Sequence, residues 1–296
     1  MNLPDRIVIR EVGARDGLQG EAALSVDQRL ELLDALLTAG LTHLEIAAFV
    51  SPKAVPAMAG AAELVAGLGA PEGVVRTALV PNLRGAEMAL AAGIDELTVT
   101  ISASAAYNQR NVHMTIEESV AAVAEVCSLA AGAGVPVDAV VSCAFGSPYE
   151  GDIAPAAVAL LAEQLRASGA AAITLADTTG MATPRRIADV LALTGAAVGL
   201  HLHETRGTGL LNLYAGLQAG VVRFDTSVGG LGGSPFAAGA AGNVATEEAV
   251  ALCDDLGVST GIAIDRIIEA AMLVEQMVGH PVPSRVAHVG PRSRRT

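Results

Sequence analysis

The sequence predicts an α/β protein folded as a single closed (β/α)8 barrel, on three observations. Eight short β-branched runs alternate with amphipathic Ala/Leu-rich stretches, a pattern that implies parallel strands joined by right-handed crossovers. The eight units fill roughly 250 residues, the usual size of such a barrel. No GxGxxG follows the first run, which counts against the alternative, a doubly wound open sheet.

In chain order the strand candidates are RIVIREV, THLEIAAF, VVRTALV, ELTVTIS, PVDAVVSCAF, AITLAD, VGLHLHE and VRFDTSV. The segments between them read as helices. In QRLELLDALLTAG, Leu30, Leu33, Leu36 and Leu37 share one face and Gly40 follows as a stop. The steps Ala39-Gly40, Ala92-Gly93, Ser168-Gly169 and Ala219-Gly220 each precede a strand, and glycine there accepts the left-handed conformation that closes a helix. No Pro/Ser/Gly-rich linker divides the chain, so residues 1–296 are expected to form one catalytic domain. The barrel spans about 5–256, and a helix (IAIDRIIEAAMLVEQMVG) and tail occupy about 257–296. The helix face with Ile264, Ile267, Ile268, Ala271 and Val274 can pack on the barrel or on a second subunit.

Composition narrows the function. With 52% hydrophobic residues among 296, the chain can bury a large core, yet only 2% are aromatic and none is Trp. Disorder is excluded by that hydrophobicity. The net charge of −13 and the lack of aromatics argue against a nucleic-acid partner. Arg292, Arg294 and Arg295 read as a solvated tail. Mean hydropathy is +0.49, but the longest charge-free stretch, Thr226 to Thr246, contains GGLGGSPFAAGAAGN and cannot be a membrane helix. No membrane association is expected, and MNLPDRIVIREVG lacks a secretory h-region. Cys127, Cys143 and Cys253 form no CxxC pair, which fits buried thiols in a reducing cytoplasm.

Chemistry in such a barrel belongs at the C-terminal ends of the strands, and the unusual polar residues gather there. Strand 1 ends in Glu11 and runs into Arg15-Asp16; strand 2 carries Glu45; strand 6 ends at Asp177; strand 7 carries His201 and His203; Asn243 and Glu247 follow strand 8. Residues two apart on a strand point the same way, so both imidazoles face the barrel mouth. That pair is either a divalent-metal site or two hydrogen-bonded histidines. Asp16 and Asn243 at converging positions favour the metal, and oxygen ligands favour Mg or Mn over structural zinc. Arg15 in GARDG is either an oxyanion holder or part of a salt bridge in a tight turn. The loop GGLGGSPF (229–236) is either a flexible connection or a mobile lid.

These residues sit in recognisable motifs. GARDGLQ, AAFVSPKAVPAM, SASAAYNQRN, VSCAFGSPYEG, LADTTGMATP, HLHETRG and GGLGGSPFAAGAAGNVATEE resemble hydroxymethylglutaryl-CoA lyases over about residues 5–280. The resemblance implies a metal-dependent carbon–carbon lyase of TIM-barrel fold that cleaves a 3-hydroxy-3-methylglutaryl-CoA-like thioester to acetyl-CoA and a keto acid, acetoacetate, as in leucine catabolism. It further implies that Asp16, His201, His203 and Asn243 hold one divalent cation, that Arg15 stabilises the thioester enolate and that Glu45 and Asp177 line the substrate pocket. Glu247 would steady the site around Asn243. An acyl-CoA thioester is the expected partner, and a homodimer is compatible with the family. Asp177 is the candidate base.

The departures bear on the substrate. The family loop reads GGLGGCPYA, with a cysteine treated as an acid/base; here Ser234 and Phe236 stand in its place. A serine hydroxyl is far less acidic than a thiol, so the catalytic role of Ser234 is an expectation that needs its own test. Relatives commonly carry Arg-Gly-Tyr where this chain has Asp138-Ala139-Val140, and HCHDTYG appears as HLHETRG. Cys143 is retained but reads as a small buried residue. Lys53, Arg84 and Arg110, in loops after strands, read as ordinary surface charges rather than CoA-phosphate contacts. The alternatives are an aldolase or acyl-CoA lyase with a longer or differently branched 3-hydroxyacyl-CoA, or a catalytically impaired ligand-binding barrel.

Overall fold

Each predicted run contributes one strand, and the strands pair in sequence order until the last meets the first. The computed structural model describes residues 3–233 and 242–292. Its strands are β1 (Val8–Glu11), β2 (His43–Ala48), β3 (Val75–Leu79), β4 (Glu96–Ser102), β5 (Val137–Ser142), β6 (Ala172–Ala176), β7 (Gly199–His201) and β8 (Arg223–Thr226). They form a closed barrel. β1 pairs parallel with β8 in the register Ile9↔Phe224 and Glu11↔Thr226. The open-sheet alternative is thereby excluded.

The helices are α1 (Val26–Thr38), α2 (Ala61–Leu68), α3 (Leu83–Ala91), α4 (Ala105–Val112), α5 (Ile116–Gly132), α6 (Pro155–Ala167), α7 (Pro184–Thr194), α8 (Gly209–Gln218), α9 (Thr246–Leu256), α10 (Ile264–Val278) and α11 (Arg285–Val289). Their starts are chemically specified. Ser25 with Gln28 and Thr115 with Glu118 form capping boxes on α1 and α5, satisfying amides that the first turn leaves unpaired. Gly40, Gly93, Gly169 and Gly220 all take positive φ after their helices. None of the helices among the described residues is long and apolar enough to cross a membrane.

The main apolar core lies between strands and helices, where Leu32, Leu33 and Leu36 of α1 and Leu44 and Ile46 of β2 are fully buried. The terminal helix α10 belongs to this layer. Its Ile267, Ala271 and Val274 are fully buried as it packs against α1 and α9 of the same chain, while Ile264 and Ile268 of the same face are half-buried.

The interior of the barrel is different. The usual filling is branched aliphatic, whereas here Arg10, Asp138, Thr174 and Asp225, all buried, project inward. Arg10 Nε and Nη2 donate to Asp225 Oδ1 and Oδ2 at 2.9 and 2.7 Å, and Nη1 donates to Asp138 Oδ2 at 2.7 Å. Thr174 Oγ1 and Arg223 Nη2 complete the shell of Asp138 at 2.7 and 3.2 Å. Removing one partner from such a buried ionic set costs about 3–5 kcal/mol, because the remaining charge is stranded. This layer is the floor on which the candidate site stands.

Candidate active site

Above the charged floor a cavity of about 330 Å³ opens at the C-terminal end of the barrel. Alternation along the strands supplies its wall: Thr98 and Thr100, Val140 and Ser142, Ala176 and Thr178, and His201 and His203 all line it. A register shift between Glu45 and Ala47 marks a bulge in β2 at the same rim, a device that re-aims side chains beside sites.

The strand β7 is shorter than expected. It ends at His201, and His203 lies beyond it in an isolated bridge with Asn243. The two imidazoles nevertheless converge, with Nε2 atoms 3.1 Å apart. Asp16 joins them to make a buried group whose ligand atoms lie within 4.8 Å of one another. Asp16 comes from a single π-helical turn, Gly13–Gly17, directly after β1. Asp16 Oδ1 accepts from Arg15 Nη1 and Gln19 Nε2, each at 2.8 Å. Its Oδ2 accepts from Asn243 Nδ2 at 2.7 Å.

The geometry of these residues suits a divalent cation. Asn243 Nδ2 has two acceptors, Asp16 Oδ2 and the Leu231 carbonyl at 3.0 Å. Its orientation is therefore fixed, since a flipped amide would face oxygen with oxygen. Asn243 Oδ1 is left buried with no hydrogen-bond partner, as a ligand atom would be. Two nitrogens bound side by side to one ion at about 2.1 Å lie roughly 3 Å apart, which the imidazole spacing matches, as it also matches a hydrogen bond between the two rings. Asp16, His201, His203 and Asn243 thus make a candidate divalent-metal site of two nitrogens and two oxygens.

Arg15 is clamped beside it. Its Nε donates to Glu45 Oε2 at 2.5 Å and its Nη2 pairs with the same oxygen. A guanidinium has five N–H donors, so bonds from Nε, Nη1 and Nη2 leave two N–H groups for a ligand. Glu45 Oε1 is buried without a partner. Burial would raise the Asp16 carboxyl, but Arg15, the two histidines and the Asn243 hydrogen bond outweigh it and hold it below its ordinary value.

Asp177 sits differently from expectation. Its neighbours Ala176 and Thr178 line the cavity, whereas Asp177 Oδ1 accepts from Ala182 N at 2.8 Å and caps the following turn. Its Oδ2 is buried without a partner. Burial pushes this carboxyl up to about 7, against the opposing backbone bonds from Ala182 and Met181. Asp177 is therefore a poised carboxyl beside the wall, anchored by one oxygen.

Carboxylates brace the turn after β8. Glu11 Oε1 accepts from Gly13 N and Val228 N, both at 2.8 Å, and Oε2 accepts from Thr246 Oγ1. Glu247 accepts from Gly229 N at 3.1 Å. Burial raises both carboxyls to about 7. Gly232 has φ +94°, and a Cβ there would lie 2.7 Å from Asn243 Nδ2, so only glycine lets the chain pass this close. Ser234, with Pro235 and Phe236, lies outside the described residues.

Other expectations are resolved. Cys143 is fully buried, and burial pushes its thiol up to about 12, so it is no substitute acid. Arg110 stacks over the Tyr149 ring at 4.5 Å, and Lys53 and Arg84 are exposed. The sequence reading missed the second layer, Arg10, Asp138 and Asp225, and also Gln19. Its signal was present: RIVIREV, PVDAVVSCAF and VRFDTSV each carry charge inside an apolar strand.

A family model described as HMGL-like matches residues 6–274. The 3-hydroxy-3-isohexenylglutaryl-CoA/hydroxy-methylglutaryl-CoA lyase of Pseudomonas aeruginosa is 40% identical over 293 residues, covering 97% of this chain and 98% of the relative. A hydroxymethylglutaryl-CoA lyase of Bacillus subtilis is 38% identical, covering 96% of this chain and 97% of its own. A solved HMG-CoA lyase from Acinetobacter baumannii, in complex with coenzyme A and 3-methylmalate, is similar at a TM-score of 0.92 and 38% identity, covering 98% of this chain and 96% of that one. With one family model over nearly the whole barrel and relatives matched end to end, the chain belongs to the HMGL-like family, the hydroxymethylglutaryl-CoA lyases whose motifs it carries.

Proposed function

We propose that this protein is a divalent-metal-dependent carbon–carbon lyase that cleaves 3-hydroxy-3-methylglutaryl-CoA to acetyl-CoA and acetoacetate. The observation that carries the reading is the convergence of Asp16, His201, His203 and Asn243, with an unpartnered Asn243 Oδ1, beside the clamped Arg15. The mixed nitrogen and oxygen donor set suits Mg or Mn. When bound there, such an ion supplies Lewis acidity that eases deprotonation of the substrate C3 hydroxyl.

The chain's own groups do the rest. Asp177 does not itself line the cavity, so accepting the hydroxyl proton requires its unpartnered Oδ2, on a carboxyl raised to about 7, to turn toward the substrate. The C2–C3 bond then breaks, C3 becomes the ketone of acetoacetate, and the electron pair passes into the thioester as an enolate. Arg15, held by Glu45 and Asp16, directs its remaining N–H groups at that oxygen. Protonation of the enolate carbon releases acetyl-CoA. Ser234 stands where relatives place the cysteine assigned this proton, so Ser234→Cys is expected to raise turnover if that transfer limits the rate.

The test is acetyl-CoA release from 3-hydroxy-3-methylglutaryl-CoA by chelator-stripped protein, before and after Mg or Mn is restored. Metal-dependent release at an ordinary enzymatic rate supports the reading. Metal binding without turnover on any thioester would favour the ligand-binding alternative.

A second substrate class is favoured by one observation. Val140, where relatives commonly have tyrosine, lines the cavity with Leu79, Val80 and Thr100, so a smaller apolar side chain stands in the wall in place of an aromatic ring. The Pseudomonas relative is named for an isohexenylglutaryl thioester as well as the methyl one. Higher kcat/KM on a 3-hydroxyglutaryl-CoA with a longer branched C3 substituent than on the methyl compound would assign this chain to that class.

A further inference from the structure

We propose that Arg10, on the floor of the barrel, is a positioning residue for the metal site: by locking the Asp225 carboxylate with a two-pronged guanidinium, it holds His201 as the Nδ1–H tautomer and turns the Nε2 lone pair toward the ion.

Arg10 touches no candidate ligand itself. It reaches the site through one carboxylate. Asp225 Oδ1 and Oδ2 accept from Arg10 Nε and Nη2 at 2.9 and 2.7 Å. Asp225 Oδ2 is also 3.1 Å from His201 Nδ1. A carboxylate with both oxygens engaged by an arginine is an acceptor and never a donor, so the hydrogen between Asp225 and His201 resides on Nδ1. A neutral imidazole carries one ring hydrogen. Nε2 is then the nitrogen with the free pair, and it is the atom that stands 3.1 Å from His203 Nε2. Outer partners of this kind orient metal-binding histidines and fix their tautomer.

The arginine is specifically suited to the task. Its third contact, Nη1 to Asp138 Oδ2 at 2.7 Å, pins the guanidinium plane between β5 and β8, so Asp225 cannot rotate away from His201. A lysine offers a point charge in place of this planar fork. The same geometry defines a rescue. Asp138 faces the same guanidinium from the other side of the barrel, so an arginine at that position can present its fork to Asp225 once the Arg10 side chain is gone.

The inference rests on the metal reading of the site, and its first measurement is independent of it. In metal-free protein labelled with 15N-histidine, at a pH alkaline enough for the imidazole to be neutral, long-range 1H–15N spectra should show His201 as a single Nδ1–H tautomer, and Arg10→Lys should give a mixture. Mn2+ binding, followed by the electron paramagnetic resonance of the free ion, should weaken about 10–100-fold in Arg10→Lys and Arg10→Leu. The double variant Arg10→Leu/Asp138→Arg should recover most of that loss. An unchanged tautomer and Mn2+ affinity in Arg10→Lys would overturn the proposal. So would a double variant that folds without recovering affinity, which would reduce Arg10 to a packing role. If Arg10→Leu does not fold, Arg10→Lys alone decides. Failure of wild-type protein to cleave any thioester would sink the proposed activity while leaving the tautomer result standing.

Discussion

Asn243 Nδ2 donates to Asp16 Oδ2 at 2.7 Å, across 227 residues of sequence. This bond ties the turn after β1 to the segment after β8, and it aims Asn243 Oδ1 away from both of its amide's acceptors. Asn243→Ala removes a donor to Asp16 and the unpartnered oxygen together. Calorimetric titration with Mn2+ is expected to show at least a roughly 10–100-fold weaker Kd in a protein that still melts cooperatively. A wild-type Kd would remove Asn243 from the site.

Arg15 spans Glu45 and Asp16 while keeping two N–H groups in reserve. Lysine can answer one of those carboxylates but cannot bridge both and still face the enolate. Arg15→Lys should therefore lower kcat by about 10²–10³-fold with Mn2+ affinity nearly unchanged. A rise in KM at constant kcat would show that Arg15 only binds substrate.

Two roles compete for Asp177. As a proton acceptor it needs its unpartnered Oδ2; as a turn anchor it needs only Oδ1. Asp177→Asn keeps an oxygen for Ala182 and cannot take a proton. Turnover should fall by at least about 100-fold with the melting temperature and bound metal retained. Full turnover would leave Asp177 as an anchor alone.

Glu11 makes stability depend on pH. Burial raises its carboxyl from 4.5 to about 7, so the folded chain keeps a proton that the unfolded chain releases. The associated stability is present in full below about pH 4.5 and is lost as pH rises through about 7, a change on the order of 3 kcal/mol. Glu247 acts in the same direction. Urea denaturation of Glu11→Gln between pH 4.5 and 8 should show a flatter dependence than wild type, and an identical slope would refute the assignment.

The barrel was legible because each strand announces itself locally. Strand ends were not: PVDAVVSCAF reads as continuous, but Cys143 takes φ 54° and β5 stops at Ser142. The metal-site candidates could be read because barrel geometry sends every strand's end to one rim, so Asp16 and His201 needed no knowledge of exact register. The Arg10 layer did need it. Arg10 and Asp225 are 215 residues apart, and only the closure of β1 on β8 shows that their charges share one interior. Asp177 illustrates the remaining gap. Its place at the end of the sixth strand run was evident, but β6 stops at Ala176, a single residue separates the cavity wall from the turn behind it, and sequence does not resolve where a strand's pleat ends.

The bond between Asp16 and Asn243 also sets an order of events during synthesis. Asp16 emerges from the ribosome with the first strand, whereas Asn243 follows the last, so the four-donor set does not exist until the barrel has closed. Partly made chains, and fragments that end before Asn243, lack the full candidate donor set. On the proposed ligand set, an ion would add binding energy only to a barrel whose two ends have met, so its uptake would report completion of the chain.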